Sequence, residues 1–506
     1  MKVELDGGSL TIGRLAGVAR DGASVSLAPA ARKRIAASRA MLEEKIAAHE
    51  VMYGITTGIG EFSEHTLTPD ELCDFQRFLV YSHAAGIGEP LPAAVVRGAM
   101  CGRANVHCHG HSGGRPAVTD ALVGALNAGV TPVACEKGSV GACGDLAPMS
   151  QVALCLMGEG EAFYRGERMD ATAALAKAGL EALELEARDG LALINGSNVL
   201  TAWAALLLHD AQHWFKLHDI AAAMTLEALL ANQKPYDARL HELRGFRGAQ
   251  EVAGNLRKLM ANSPILAAHG EKVQDAYSMR STPQVAGALR DAVRHAVGEV
   301  ETELNGVGDN PIFLTEEKEV LTGANFQGTP VALPLEMVAT GLSMIAVLSE
   351  RRLNRLTNPA LSAGLPPFLT EKPGLHSGMM LAQYTADALI VEARILSHPA
   401  VNQSIPAAAD QEDFVSMGLT TMQKSQQILD NCFGVLAIEM MAAAQALDLR
   451  GDEPAAGTGA ARAVIRKHVS HLDEDRPLYR DHNRLVPLLR SPDITSAVEA
   501  AIGKLA

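Results

Sequence analysis

Aromatic side chains are scarce in this chain: they make up 4% of 506 residues and include two tryptophans. A core with so few of them leans on Ala, Leu and Val, and the Ala/Leu excess favours helix over strand. Positive charge is scarce as well, with 44 Lys and Arg against 58 Asp and Glu and a formal net charge of −14. That balance argues against nucleic acid or an anionic membrane surface as a partner. The seven cysteines (73, 101, 108, 135, 143, 155 and 432) are odd in number, scattered, and form no CxxC pair of the zinc type. A reduced, cytoplasmic compartment is therefore expected. The opening MKVELDGGSL has no apolar stretch of the kind a secretory leader carries. No run approaches the ~20 apolar residues of a membrane span. The best candidate, LTAWAALLLHDAQHW, is broken by His209 and Asp210. There is no internal repeat and no low-complexity tract.

What is present is a globular composition, 48% hydrophobic and 20% charged, and a length that suggests two or three domains. Residues 1–25 read as a small strand pair. Helices are predicted over Pro29–His49, residues 69–84, Ala93–Val106, Pro116–Ala128, Ser150–Gly158 and 172–185, with a hairpin at 163–169. Beyond about residue 200 long Ala/Leu-rich helices take over: Leu200–Leu230, Pro283–Asn305, Leu335–Leu356, Gly378–Leu396 and Thr420–Leu447. In the second of these Val285, Leu289, Val293, Val297, Val300 and Leu304 fall on one stripe, and in the third Leu335, Val338, Leu342 and Ile345 recur three and four apart. The pattern is that of a helical bundle. It sets expected boundaries at 1–200 for an N-terminal domain, 201–450 for the bundle and 451–506 for short C-terminal helices, with 451–463 loose and linker-like. NVHCHGHSGG (105–114) gathers His107, His109 and His111 around Cys108. Alternate spacing would align three imidazoles on a strand, as a metal site needs, but Gly110 and Gly113-Gly114 break such a strand. A turn into the next helix is expected, and no metal.

The unusual chemistry lies in GSVGACGDLAP (138–148). Its glycines free the backbone to turn sharply, and Asp145 and Pro148 help to hold the bend. If the Gly144 nitrogen is bent onto the Ala142 carbonyl carbon, a five-membered ring can close. Loss of water from the ring and of the Cys143 Cβ substituent then leaves an exocyclic methylene, an electrophile that no ordinary side chain supplies.

This segment resembles the prosthetic-group loop of the aromatic amino acid ammonia-lyases, whose Ala-Ser-Gly triad cyclises to 4-methylidene-imidazol-5-one (MIO). Here Cys143 replaces the serine, and hydrosulfide is a better leaving group than hydroxide. The likeness extends over about residues 50–450. YGITTGIG (53–60) is similar to the family's tyrosine loop. SHAAGIGEPL (82–91), NGSN (195–198), KVQDAYSMR (272–280), GDNP (308–311), GANF (323–326), SERR (349–352) and QEDFVSM (411–417) follow in the family's order. The resemblance implies a mostly α fold of the fumarase/aspartase-like kind, with a long-helix central bundle and an N-terminal MIO-bearing domain. It also implies a homotetramer with active sites shared between chains, acting on a small aromatic amino acid.

Roles carry over residue by residue. Ala142, Cys143 and Gly144 become MIO, which captures the substrate amine. Tyr53 is the base for the β-proton, and a phenol with pKa ~10 needs that value lowered to work near neutrality. Arg280 clamps the carboxylate, a role that suits its planar fork. Asn195, Gln274 and Tyr277 surround MIO and the amine, and Phe326 walls the ring. Ser82-His83 matches the histidine-specific members, as does Met380, and Glu412 stands where plant-type phenylalanine enzymes have an amide. A carboxylate facing an imidazole can grip an imidazole substrate by both nitrogens. The closest likeness is thus to histidine ammonia-lyase. DQEDF, with Asp410 and Phe414, departs from the usual histidine wording NQEDH. A tyrosine or phenylalanine ammonia-lyase, a 2,3-aminomutase, and a noncatalytic homologue with Cys143 uncyclised stay as alternatives.

Overall fold

The computed structural model describes residues 2–69, 71–268 and 272–506. Over these residues the chain forms twenty α-helices and nine short strands, the mostly helical architecture expected. It divides into two compact units. The first comprises Met1–His209, Ala296–Glu336 and Pro399–Gln423, the second Asp210–His295, Met337–His398 and Lys424–Ala506.

The first unit holds the small strands. Lys2–Leu5 and Ser24–Leu27 pair in parallel. A helix, Ile12–Arg20, crosses between them, where only a strand pair was expected. Thr11 starts that helix by accepting from the Arg14 N–H. The helix Glu71–His83 matches the predicted one, of which Asp70 lies outside the described residues. Helix Ala93–His107 is buried almost all round, as a central helix must be. Pro116–Ala128 begins with Pro at its first turn and ends on Gly129 in a left-handed conformation, the arrangement in which Pro starts and Gly stops a helix. Met41, Leu42, Met52, Ile55 and Phe313 form one apolar cluster, which seats the loop that follows Met52.

An ionic knot lies in the same unit. Asp309 accepts from Arg103 at 2.5 Å and from Arg188 at 2.7 Å, with all three side chains fully buried. Arg103 also donates to the carbonyls of Ala192 (2.6 Å) and Asn195, and Arg188 to those of Ser112 (2.8 Å) and Asn310 (2.9 Å). The GDNP segment therefore ties down the chain around Asn195. His107 bonds Thr119 Oγ1 and the Ala192 carbonyl through its two ring nitrogens, and burial depresses its pKa to about 3. His111 bonds the Phe313 carbonyl. The His109 ring packs on Gly7. The three imidazoles thus face separate partners.

In the second unit Glu439 is the polar centre. It accepts from Arg352 Nε (2.6 Å) and Nη2 (2.9 Å), from Thr225 (3.0 Å) and from Ser349. SERR thus serves this core. On the helix Thr282–Leu304, Leu289, Val293, Val300 and Leu304 of the predicted stripe are buried, while Val285 and Val297 are half-buried. The segment expected to be a linker is in large part a helix, Ala456–His468. The buried Glu227 carboxylate orders its start by accepting from the Ala455 N–H (2.7 Å) and from Thr458. Thr329–Thr357 and Gly418–Arg450 are long and apolar enough by composition to cross a bilayer, contrary to the expectation from the sequence. Their most apolar stretches are 61% and 83% buried within the protein.

Candidate active site

The triad loop is shaped by what it lies against. Gly141 and Gly144 take φ of +79°. A Cβ on Gly141 would strike Ser416 Oγ, and one on Gly144 would strike the Gly196 carbonyl. The Gly196 N–H donates to the Cys143 carbonyl at 3.2 Å, and the Asp145 N–H donates to the Gly196 carbonyl at 3.0 Å. NGSN and the triad are thereby bridged, backbone to backbone. Asp145 is buried and accepts from the Leu200 N–H (2.8 Å) and Ser139 Oγ (3.0 Å), while burial raises its pKa to about 6. Glu303 is a second carboxylate nearby, half-buried. Burial, then the charge of Asp145, raises it to about 7. Asn195 donates through Nδ2 to the Asn310 carbonyl at 2.9 Å, and among the described residues its buried Oδ1 has no partner. The Phe326 carbonyl accepts from Ser197 Oγ at 2.7 Å, so GANF also borders the NGSN segment.

Glu412 comes to the triad on a tight loop. Its backbone pairs with Ala407 in both directions. Between them Ala408, Ala409 and Asp410 all take positive φ, 50°, 53° and 64°. Non-glycine residues in that region are strained by ~1–2 kcal/mol each, and they persist only where the surroundings impose them. Two straps do so: the Met417 N–H donates to the Val140 carbonyl (2.9 Å) and the Val415 N–H to Ser404 Oγ (2.8 Å). Neither strap has a local signature, and neither was expected from the sequence. The Cys143 thiol donates to Glu412 Oε1 at 3.2 Å. Burial, then the Glu412 charge and this bond, push the thiol pKa up.

Tyr53 is half-buried, and its hydroxyl accepts from the Gly60 N–H at 3.1 Å. Burial raises its pKa. The Gly60 bond and Arg188 pull the other way, and Cys143 and Glu412 add to the rise. The phenol is thus shifted opposite to the direction expected of a base, because it is desolvated beside acidic neighbours. Ser82 and His83 end the helix Glu71–His83, with Ser82 exposed. His83 Nδ1 lies 2.8 Å from the Leu79 carbonyl and 3.0 Å from Ser82 Oγ. A carbonyl only accepts, so Nδ1 carries the proton and Nε2 is left as an acceptor. Among the described residues no hydrogen bond or ion pair joins His83 to Glu412. Each of the two is anchored separately, His83 to the Leu79 carbonyl and Glu412 beside the Cys143 thiol.

Gln274, Tyr277, Arg280 and Met380 belong to the second unit. The Arg280 guanidinium sits 4.5 Å from the Tyr277 ring centroid, within cation–π range. With its carboxamide oxygen turned to it, Gln274 accepts from both terminal nitrogens of Arg280 at 2.5 Å. Arg280 makes no ion pair among the described residues. These three line a cleft of about 550 Å³ together with Asn232, Lys234 and Arg244. Tyr277 is 73% exposed and Val273 fully so. Met380 opens the helix Met380–Leu396.

Known proteins share this arrangement of segments. The family model for aromatic amino acid lyases matches residues 10–467. The histidine ammonia-lyase of Alkaliphilus metalliredigens is 46% identical over 506 residues, covering all of both chains. Among solved structures, histidine ammonia-lyase from Trypanosoma cruzi superposes with a TM-score of 0.92 at 36% identity, over 99% of this chain and 96% of that one. Tyrosine aminomutase from Streptomyces globisporus gives 0.95 at 35% identity over the whole of both. This chain belongs to the aromatic amino acid lyase family and is a carbon–nitrogen lyase.

Proposed function

We propose that the chain is a histidine ammonia-lyase, converting L-histidine to urocanate and ammonia with an MIO group formed from its own Ala142-Cys143-Gly144. The observation that carries this reading is the Glu412 carboxylate held 3.2 Å from the Cys143 sulfur, with Tyr53 in the same electrostatic neighbourhood. The triad fits the group: Gly144 has no room for a side chain, and Asn195 Oδ1 is a buried acceptor awaiting a donor. Ala142, Cys143 and Gly144 would hold this group within the chain, and it would supply there an electrophilic methylene for the substrate amine.

The remaining work falls to side chains. Tyr53 removes the β-proton, and conversion of Cys143 takes away one of the groups that holds its pKa up. Arg280, steadied by Gln274 and Tyr277, clamps the carboxylate through its fork. With the substrate ring protonated, His83 offers Nε2 to one ring N–H and Glu412 takes the other. A phenyl ring would leave both unpaired, at ~1–3 kcal/mol each. Ser82 and Met380 complete the specificity set, and Asn195 and Phe326 border MIO. The full exposure of Val273 and the exposure of Tyr277 beside Gln274 and Arg280 support a homotetramer with active sites shared between chains. The seven unpaired cysteines fit a cytoplasmic enzyme. A second reading, tyrosine aminomutase, is favoured by the full-length structural likeness to that enzyme and by the exposed Phe414. The test is incubation with histidine, tyrosine and phenylalanine in turn, following ammonia, unsaturated acid and β-amino acid separately. Histidine should be the best substrate, with ammonia and urocanate as its products.

A further inference from the structure

We propose that Glu412 acts before any substrate binds, carrying the proton in the elimination that removes the sulfur of Cys143 during maturation. This rests on the reading that the triad cyclises. Cys143 directs its S–H at Glu412 Oε1 across 3.2 Å, and a loop with three successive left-handed residues holds that carboxylate in place. The loop is strapped to the triad segment itself through Met417 and Val140. So much local strain around one side chain implies a reacting partner, and in the newly folded chain the partner present is a thiol.

The chemistry asks for such a group. A thiolate would have to leave as sulfide dianion, whereas a thiol leaves as hydrosulfide, so the sulfur must keep its proton. A carboxylate that accepts from S–H keeps it there. Ring closure comes first: the Gly144 nitrogen bonds to the Ala142 carbonyl carbon, and the oxygen departs as water with the amide protons of Gly144 and Cys143. The Cys143 Cα–H, now held between the nitrogen of the ring C=N and the ring carbonyl carbon, is acidic. Glu412 takes that proton. The Cα–H electron pair becomes the Cα=Cβ bond, and the Cβ–S bond breaks with its pair going to sulfur. The Glu412 carboxyl then returns the proton to the departing hydrosulfide. Hydrogen sulfide leaves, and the carboxylate is regenerated without its thiol partner, free for an imidazole.

The test follows maturation rather than turnover. Wild type, E412Q and E412D are made by cell-free synthesis, quenched at intervals and weighed intact, with trapped hydrogen sulfide measured alongside and helical circular dichroism recorded for each. Wild type should proceed to a mass short of one water and one hydrogen sulfide. E412Q should accumulate the form short of water alone and release hydrogen sulfide about a hundredfold more slowly or slower still, the lower end of what a positioned acid–base group supplies. E412D keeps the carboxylate one methylene back, and guards against misfolding of the amide variant. It should give an intermediate rate. Folded E412Q that completes both losses at the wild-type rate overturns the role while leaving cyclisation intact. A wild type that keeps its translated mass overturns the cyclisation reading and this role with it.

Discussion

Gly144 and Gly196 meet backbone to backbone, with no space for a Cβ on Gly144 and with hydrogen bonds on either side of the contact. Gly196 is itself held at φ +141°, and a Cβ there would lie 2.6 Å from the Gly308 carbonyl oxygen. Gly196→Ala must therefore push the NGSN segment off the triad. We expect the variant to retain its translated mass at position 143 and to lose at least about 2 kcal/mol of stability. Intact-mass measurement and thermal unfolding check the two effects independently.

Selector and base separate by mutation. Glu412→Gln, assayed on whatever fraction matures, should lose far more activity on histidine than on tyrosine, because an amide accepts an N–H from a charged ring more weakly than a carboxylate does. His83→Leu should relax selectivity toward phenylalanine or tyrosine by removing a polar group that such rings leave unpaired. Tyr53→Phe should lower kcat on every substrate by about 10²–10⁴-fold, the share of a positioned base. Ratios of kcat/KM across the three amino acids report all of these.

The Arg103–Asp309–Arg188 knot is fully buried. Asp309→Asn leaves two guanidinium groups without their counter-charge, which should destabilise the protein by about 3–5 kcal/mol. Loosening the knot also frees the chain at Asn195. Urea unfolding, compared with wild type at equal concentration, measures the loss.

Glu303 gives a pH signature. Its folded pKa, raised to about 7 by burial and then by the charge of Asp145, exceeds its reference value of 4.5. The folded state thus binds more protons between those values, and this group's contribution falls as pH rises from about 4.5 to 7 and is level above. Glu303→Gln removes the titration. The Tm of the variant relative to wild type should therefore climb between pH 5 and pH 8, as read by differential scanning fluorimetry at fixed ionic strength.

Much of the fold was legible. Pro116–Ala128 has the bounds its Pro and Gly imply, and the long helices lie within a few residues of where their apolar period places them. Ala456–His468 was missed because AGTGAARA looks like a linker until the distant Glu227 is seen to order it. The triad, Tyr53 and Glu412 stood out by motif. The Met417–Val140 strap and the Asp309 knot did not, since bonds between segments far apart in sequence leave no local pattern. The Tyr53 environment was expected to lower its pKa, and does the reverse because burial, aided by acidic neighbours, outweighs the Gly60 N–H and the charge of Arg188. His83 is anchored to the Leu79 carbonyl and Glu412 lies against the Cys143 thiol, contacts that the motifs themselves do not announce.

Every functional step proposed for this chain depends on its building an electrophile at Cys143. The intact mass of the purified, unreduced protein, with peptide mapping across residues 138–148, tests that dependence at its root. A self-made MIO group requires a single species lighter than the translated sequence by one water and one hydrogen sulfide, with both losses confined to Ala142-Cys143-Gly144. A chain at its full translated mass, with a free thiol at Cys143 that alkylates on denaturation, would contradict it.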